Sequence, residues 1–226
     1  LLGDLSRGMF ELARTHGVAL VGGDTTAGPL SLSVQALGSV PAGEALRRSG
    51  AEPGDLVYVS GTPGDAAAGL ALLMSRGARS ANTHEGQLLQ RFMFPEPRVQ
   101  LGQQLRGIAS ACIDVSDGLA ADAGRLAAAS GCAVTLDADA LPLSESLLAC
   151  CGADESLAHA LRGGDDYELC FTVPPSRRAA LESRLANVKC RVTCIGKITA
   201  GRGVSIERDG NRVDTDTRGY DHFARG

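Results

Sequence analysis

The chain has 226 residues, is 44% hydrophobic and carries a formal net charge of -4 at pH 7. This length suits one large domain, or one domain and part of another, and the acidic balance gives no electrostatic basis for a nucleic-acid surface. No apolar run is long enough to cross a membrane, and the chain begins without a basic-then-apolar signal region. We therefore expect a cytoplasmic globular protein that binds neither nucleic acid nor membrane.

The lysines and cysteines limit the kinds of phosphate site and metal site that this chain can contain. The only lysines are Lys189 and Lys197, and neither follows a Gly-x-x-x-x-Gly loop, which excludes a Walker-type phosphate loop. Phosphate chemistry would have to use arginines, backbone N–H groups and metal ions. The seven cysteines include no Cys-x-x-Cys pair, which favours buried free thiols in a reducing compartment over disulfides or a zinc site.

The first part of the chain predicts a helix followed by two strands. Apolar residues recur at a helical period over 1–16, a short buried strand is predicted over 18–21, and 30–40 alternate as a half-buried strand. The strands flank the segment 22–26, GGDTT. Its glycines would let backbone N–H groups approach a phosphate, and Asp24 could bind a bridging metal ion. The alternative, slightly favoured on this segment alone, is a tight local turn.

The connection over 41–53 is the best candidate for a domain boundary and contains Arg47 and Arg48. A guanidinium can clamp a phosphate with two parallel hydrogen bonds, although a loop arginine is more often simply solvated. The residues alone do not decide between these two arginines.

Strands and helices alternate over the rest of the chain. We expect an α+β or mixed α/β fold, in which a mixed sheet is covered by helices. The predicted strands are 55–60, 109–114, 133–136, 169–173, 191–198 and 204–208, and the predicted helices are 66–76, 87–94, 98–105, 119–129, 144–150, 155–161 and 177–185.

The segment 112–119, CIDVSDGL, is the strongest functional candidate. An apolar strand ends in two carboxylates and a hydroxyl just before a helix, and residues two apart on a strand share a face, so Asp114 and Ser116 can point into one pocket. Oxygen ligands of this kind suit Mg²⁺, which usually binds together with phosphates. The alternative makes Asp117 a helix N-cap, but it leaves Asp114 and Ser116 unexplained.

Two further segments are candidates. The segment 163–168, GGDDYE, is a dense acidic loop before a buried strand, and it could hold a cationic substrate group, contribute to a metal site, or simply be solvated. Near the C-terminus, Tyr220 in the segment 219–223 could stack on a planar ring, or the tail could pack into the core. No histidine has the partners of a nucleophilic mechanism, so we expect no covalent catalytic residue.

Taken together, these segments resemble the thiamine-monophosphate kinase family, within the aminoimidazole-ribonucleotide-synthetase-like superfamily. The matching segments span essentially the whole chain: VGGDTTxGPL at 21–30, RSGAxPGD at 48–55, SGTPGDxAAGL at 60–70, IDVSDGL at 113–119, GGDDYELCF at 163–171 and GYDHF at 219–223. The last two segments are specific to this family, whereas Asp-x-Ser-Asp-Gly occurs more widely in the superfamily.

The resemblance implies ATP-dependent phosphorylation of thiamine monophosphate to thiamine diphosphate, by direct in-line transfer assisted by several Mg²⁺ ions. It also implies a homodimer and a role for each candidate residue. The implied ATP contacts are Gly23, Asp24, Arg48 and Ser116, the implied Mg²⁺ ligands are Asp24, Asp114 and Asp117, and the implied substrate contacts are Asp165 and Tyr220. Position 165 is more often glutamate in the family.

The sequence departs from the family pattern at its start. The family has an upstream segment, with more metal-binding aspartates and a substrate histidine, that these 226 residues lack. We therefore expect 1–40 to be the remnant of a truncated first domain for ATP and Mg²⁺ binding and dimerisation, with 41–226 as a C-terminal α/β domain. We expect this chain alone to be inactive. The alternatives are another ATP-dependent synthetase of the superfamily and a nucleotide-binding module without turnover.

Overall fold

The computed structural model describes residues 2–77 and 82–213. The chain divides into two compact units, Leu1–Pro41 and Ala42–Gly226. The first unit contains helix α1 (Leu2–Thr15), which has an acidic residue in its first turn and a basic residue in its last, as the helix dipole favours. None of the residues of α1 is buried.

The strands predicted over 18–21 and 30–40 are wrong for this structure, because both segments lack regular secondary structure and are exposed. Val21, Leu30 and Leu37 are more than 80% exposed. A strand is held by hydrogen bonds to a neighbouring strand, and no described strand pairs with either segment. These two segments therefore have the alternating apolar residues of a strand in their sequence, but no described neighbouring strand with which to form a sheet.

The second unit is built on a seven-stranded sheet with strand order β2-β4-β1-β5-β3-β6-β7. Strands β3 and β6 pair in parallel, and every other neighbouring pair is antiparallel. This confirms the prediction of a mixed α/β fold. The strands are β1 (Leu56–Ser60), β2 (Ala111–Val115), β3 (Ala133–Asp137), β4 (Glu168–Val173), β5 (Val192–Thr199), β6 (Gly203–Arg208) and β7 (Asn211–Val213).

The helices of the second unit agree closely with the predicted ones. They are α2 (Asp65–Arg76), α3 (Thr83–Met93), α4 (Val99–Leu105), α5 (Leu119–Ala129), α6 (Glu145–Arg162) and α7 (Arg178–Leu185), with short 3₁₀ turns at Ala138–Ala140 and Pro175–Arg177. The two helices predicted over 144–150 and 155–161 form the single element α6. A kink at Gly152, whose φ is 72°, divides it, so the predicted break is present in the backbone.

Alternating side chains of the sheet bury two cores on its opposite faces. In β1, Val57 and Val59 pack in the core that α5 and α6 cover, whereas Tyr58 packs in the core of α4 and α7. Tyr58 stacks on Phe171, its partner in β4, with ring centroids 5.5 Å apart. The sheet thus fixes the ends of β2 and β4 side by side, and the candidate site lies there.

All seven cysteines are free, and Cys132 and Cys170 are buried. No helix in the described ranges combines the length and the apolar character needed to cross a membrane.

Candidate functional site

Asp114 is an exposed carboxylate near the end of β2. Its neighbours Ile113 and Val115 are buried in the core covered by α5 and α6, and Asp114 faces the other way because successive side chains of a strand point to opposite faces. Its carboxylate forms no hydrogen bond or ion pair with any other described residue. Both of its oxygens are therefore available to a ligand.

The turn from β2 into α5 is held by the helix itself. The buried carboxylate of Asp122 accepts hydrogen bonds from the backbone N–H groups of Ser116 and Asp117, each at 3.0 Å. Arg125 in turn bonds to Asp117 and Asp122. The N-cap position belongs to Gly118, whose φ is 116°. The alternative in which Asp117 caps this helix is therefore wrong. One oxygen of the Asp117 carboxylate faces Arg125 instead.

The acidic loop over 163–168 is attached to this turn through its backbone. The N–H of Asp165 donates to the carbonyl of Ser116, and the N–H of Tyr167 donates to the carbonyl of Val115, both at 2.9 Å. A Cβ on Gly164 would lie 2.6 Å from the Ser116 carbonyl oxygen, so only glycine permits this approach. The two acidic segments, far apart in sequence, therefore share one edge of the sheet.

Asp165 and Tyr167 have left-handed φ values of 64° and 51°. Among non-glycine residues this region is uncommon, and aspartate tolerates it better than most. The hydroxyl of Tyr167 donates to Asp165 at 3.3 Å, and burial of its ring is the largest cause that raises the pKa of Tyr167. The backbone of Asp165 thus lies against the turn that carries Ser116 and Asp117, and its side chain bonds to Tyr167.

Asp166 has a structural role in the same loop. It is 1% exposed, and its carboxylate accepts from the N–H groups of Gly64, at 2.8 Å, and Ala66, at 3.4 Å. It therefore caps α2 from a distant part of the chain, since Gly64 itself supplies no side-chain cap. Burial raises the pKa of Asp166 to about 8, against the opposing effect of the two amide hydrogen bonds.

Glu168 is fully buried and is the centre of an ion-pair network. Its Oε1 accepts from Arg91 and Arg98, each at 2.6 Å, and its Oε2 accepts from Arg98 at 2.6 Å and from Ser60 at 2.5 Å. A Cβ on Gly61 would lie 2.0 Å from the Glu168 carboxylate. The loop thus ends in a carboxylate whose two oxygens are both occupied by protein groups.

A cavity of about 430 Å³ brings Arg48 and Asp114 together. Burial raises the pKa of the Cys112 thiol in its wall to about 12, so that thiol is protonated at neutral pH and is a poor nucleophile. Arg47 contributes its backbone instead, since its carbonyl accepts from Cys112 N–H at 2.8 Å. The lining residues are Leu46, Arg48, Arg98, Gly102, Cys112, Ile113, Asp114 and Leu169.

A larger cavity, of about 900 Å³, lies among α2, α3 and the start of α6. Burial is the largest cause that raises the pKa of Asp65 in its wall, and this carboxylate accepts from Ser144 at 2.6 Å and Thr62 at 2.5 Å. Among the described residues, none of those predicted for the site lines this cavity. The lining residues are Asp65, Asn82, Thr83, Gly86, Gln87, Leu88, Gln90, Arg91, Ser144 and Ser146.

The remaining predicted residues are Gly23, Asp24 and Tyr220. Gly23 and Asp24 belong to the first unit, where both are exposed. Asp24 accepts from the N–H of the next residue, Thr25, at 2.7 Å, and the backbone over 22–26 forms no turn. Tyr220 lies outside the described residues.

One group of possible metal ligands with converging atoms occurs in the described ranges, and it is not the predicted one. Its ligand atoms lie within 4.8 Å of one another, and its members are Cys151, Glu155 and His159 on α6. The ordinary i,i+4 pairing of Glu155 with His159 on a helix surface accounts for two of the three. The carboxylates of Asp114, Asp117 and Asp165 do not converge in this way.

The sequence reasoning missed the residues that hold the site in place. Asp122 and Arg125 support the turn, and Asp166 and Glu168 anchor the loop. An aspartate three residues before an arginine in the Ala/Leu-rich run of α5 was a usable signal, because such a pair shares one helix face. The functions of Asp166 and Glu168 had no such signal, since their partners are distant in sequence.

Comparison with known proteins gives consistent results over most of the chain. The family described as AIR synthase related protein, C-terminal domain, matches residues 52–209. Thiamine-monophosphate kinase of Salmonella typhimurium is 49% identical over 220 residues, which cover 97% of this chain and 68% of the relative.

Two solved structures extend this similarity to the fold. The crystal structure of thiamine-monophosphate kinase from Stenotrophomonas maltophilia is 46% identical, with a TM-score of 0.86 over 94% of this chain and 68% of the other. The structure described as AaThiL complexed with AMPPCP and TMP is 37% identical, with a TM-score of 0.67 over 79% of this chain and 54% of the other.

Proposed function

Because this chain belongs to the thiamine-monophosphate kinase family, we propose that the whole protein transfers the terminal phosphoryl group of ATP to thiamine monophosphate. A phosphate oxygen of thiamine monophosphate attacks the γ-phosphorus of ATP, and the bond from that phosphorus to the β–γ bridging oxygen breaks. The products are thiamine diphosphate and ADP. The complex of a relative with AMPPCP, an ATP analogue, and TMP supports this pair of substrates.

The observation that carries the proposal is the junction between the two acidic segments. The backbone hydrogen bonds from Asp165 and Tyr167 to Ser116 and Val115 bring Asp165 to the same end of the sheet as Ser116 and Asp117. In-line transfer depends chiefly on such positioning and on charge neutralisation. We assign Asp165 to the thiamine monophosphate contact, and Ser116 to ATP.

A direct transfer needs no covalent intermediate on the protein. Cys112, the cysteine in the wall of the cavity with Arg48 and Asp114, has a pKa raised to about 12 by burial. Its thiol is protonated at neutral pH and is therefore a poor phosphoryl acceptor. We propose that Arg48 binds a phosphate of ATP in this cavity, where its guanidinium can form two parallel hydrogen bonds.

The donor set suits Mg²⁺, which prefers carboxylate oxygens and keeps several waters. Asp114 has both oxygens open, whereas in Asp117 Oδ2 bonds to Arg125 and Oδ1 accepts from the hydroxyl of Ser116 at 3.3 Å. We propose these two residues as ligands. When bound, Mg²⁺ would neutralise charge on the phosphates. By resemblance, Gly23 and Asp24 would add ATP and metal contacts, and Tyr220 would contact the substrate ring.

The proposal extends to assembly and location. The resemblance implies a homodimer of the whole protein, which light scattering would test. The seven free cysteines agree with a reducing compartment, and we propose the cytoplasm, which fractionation of cells would test.

The test is a coupled assay of ADP release by the full-length protein, with thiamine monophosphate or thiamine as the acceptor. We expect turnover that requires thiamine monophosphate and yields thiamine diphosphate. Turnover with thiamine alone would contradict the acceptor. Binding of AMPPCP without any turnover would instead favour a nucleotide-binding module. The 226-residue chain, assayed in parallel, should show no turnover.

A further inference from the structure

Arg98 precedes α4 and lines the cavity that contains Arg48 and Asp114. Its side chain is 10% exposed. The cavity therefore has two guanidinium groups in its wall, although the sequence motifs single out only one of them. A pair of arginines in one cavity is typical of sites that bind phosphate oxygens.

Glu168 fixes the orientation of Arg98. The Nε and Nη2 atoms of Arg98 each donate to the Glu168 carboxylate at 2.6 Å, a bidentate pair in which the carboxylate is fully buried. These hydrogen bonds are the first cause of the raised pKa of Arg98, so its charge is permanent. With one edge of the guanidinium held in this way, Nη1 is the nitrogen left to face another partner.

That partner is an exposed side chain. Nη1 of Arg98 donates to Glu96 at 2.8 Å, and Glu96 is 69% exposed. Because Glu96 is exposed, water screens its charge and its long side chain must be ordered to hold the contact, so this pair contributes less than the buried one. The buried contact with Glu168 is therefore permanent, whereas the contact with Glu96 is readily exchanged.

We propose that Arg98 is a second phosphate-binding residue of this cavity, and that its Nη1 exchanges Glu96 for a phosphate oxygen when the ligand binds. This rests on the proposed kinase function, which supplies phosphate ligands from ATP and from thiamine monophosphate. Asp114 lies in the same cavity with both oxygens open, so the phosphate would enter with its cation. Glu96 acts as a competing carboxylate that occupies Nη1 in the free protein.

The experiment compares Glu96→Gln with Glu182→Gln in the full-length protein. Glu182 is the control, since it is exposed like Glu96 and is paired with an arginine, Arg178, at 3.0 Å. Arg178 is 61% exposed and does not line this cavity, whereas Arg98 is 10% exposed and does. Calorimetry at fixed ionic strength measures the Kd of inorganic pyrophosphate in the presence of Mg²⁺. Removing the competing carboxylate should tighten binding about two- to fivefold, the range expected for an exposed ion pair, whereas Glu182→Gln should leave it unchanged.

The source of the phosphate is then identified by displacing pyrophosphate with AMPPCP or with thiamine monophosphate. Displacement by either ligand supports the proposal and names the ligand. Equal Kd values in the two variants, weaker binding in Glu96→Gln, or displacement by neither ligand would overturn it. Because the Kd is measured without turnover, the two proposals can fail separately. If the protein is an active kinase but Glu96→Gln leaves the Kd unchanged, only the role of Arg98 is refuted. An effect on Kd without kinase activity refutes the kinase alone.

Discussion

The turn after β2 and the loop before β4 are both short, acidic and glycine-containing, but they use their carboxylates in opposite ways. At the end of β2, just before the turn, Asp114 is exposed, and its carboxylate has no hydrogen bond or ion pair with any described residue. In the loop, Asp166 and Glu168 are both buried and fully engaged by protein groups. Acidic density in a sequence therefore does not distinguish a ligand site from a structural anchor, and burial does.

The largest expected effect is on the structural side of this comparison. Glu168→Gln keeps the shape of the side chain but leaves Arg91 and Arg98 without their shared buried counter-charge. Removing one partner of a buried pair costs about 3–5 kcal/mol, so the free energy of unfolding should fall by that amount in a denaturant titration. Glu182→Gln, at an exposed pair, should change it little. Equal stability of the two variants would show that the buried network is not an anchor.

On the functional side, Asp114→Asn should lower turnover and leave stability nearly unchanged. The exposed carboxylate contributes no packing, so the free energy of unfolding should stay close to that of the wild type. Turnover of the full-length protein should fall at least about 100-fold, as when a group that stabilises transition-state charge is removed. Asp154→Asn, another exposed aspartate, is the control and should retain full turnover. Near-normal turnover in Asp114→Asn would remove it from the site.

The junction between turn and loop can be tested at Gly164. In Gly164→Ala, the new Cβ would approach the Ser116 carbonyl oxygen to 2.6 Å, and such overpacking costs about 1–3 kcal/mol. Gly102→Ala, inside α4 and with no atom nearer than 4.0 Å, should instead stabilise the protein by about 0.5–1 kcal/mol. A thermal denaturation series measures both. A stable Gly164→Ala would mean that the two segments can separate without consequence.

The last prediction concerns the pH dependence of stability. Burial raises the pKa of Asp166 from its ordinary 3.8 to about 8. Between these values the folded protein keeps a proton that the unfolded chain has lost, so this group makes stability fall as pH rises from about 4 to 8. In Asp166→Asn the free energy of unfolding, measured by denaturant titration at several pH values, should decline less steeply. Identical slopes in the two proteins would show that Asp166 is ionised when folded.

The sequence predicted the second unit well because its signals are local. Apolar periodicity, with glycine and proline at the ends, placed α5 at 119–129 and the other helices within a few residues of their observed bounds. The sequence also identified the turn that carries Asp114 and Ser116. The strands over 18–21 and 30–40 failed because strand formation depends on a partner strand, which periodicity does not report.

The roles within the acidic loop were beyond sequence reasoning for a similar reason. In a regular strand, successive side chains point to opposite faces, so a regular strand here would place Asp166 and Glu168 on one face and Asp165 on the other. The left-handed residues 165 and 167 break that regularity, and the partners of the buried carboxylates lie 70 to 108 positions away. Such contacts are set by the sheet, since β2 and β4 are neighbours in it although they are distant along the chain.

The two backbone hydrogen bonds that join the loop to the turn also affect how the site forms in time. They link Asp165 to Ser116 and Tyr167 to Val115, so they can close only after β2 and β4 have met, and non-local pairings of this kind form slowly. Their amide protons would exchange with solvent whenever the junction opens. The exchange rates of these two amides would therefore report how often the loop separates from the turn in the folded protein.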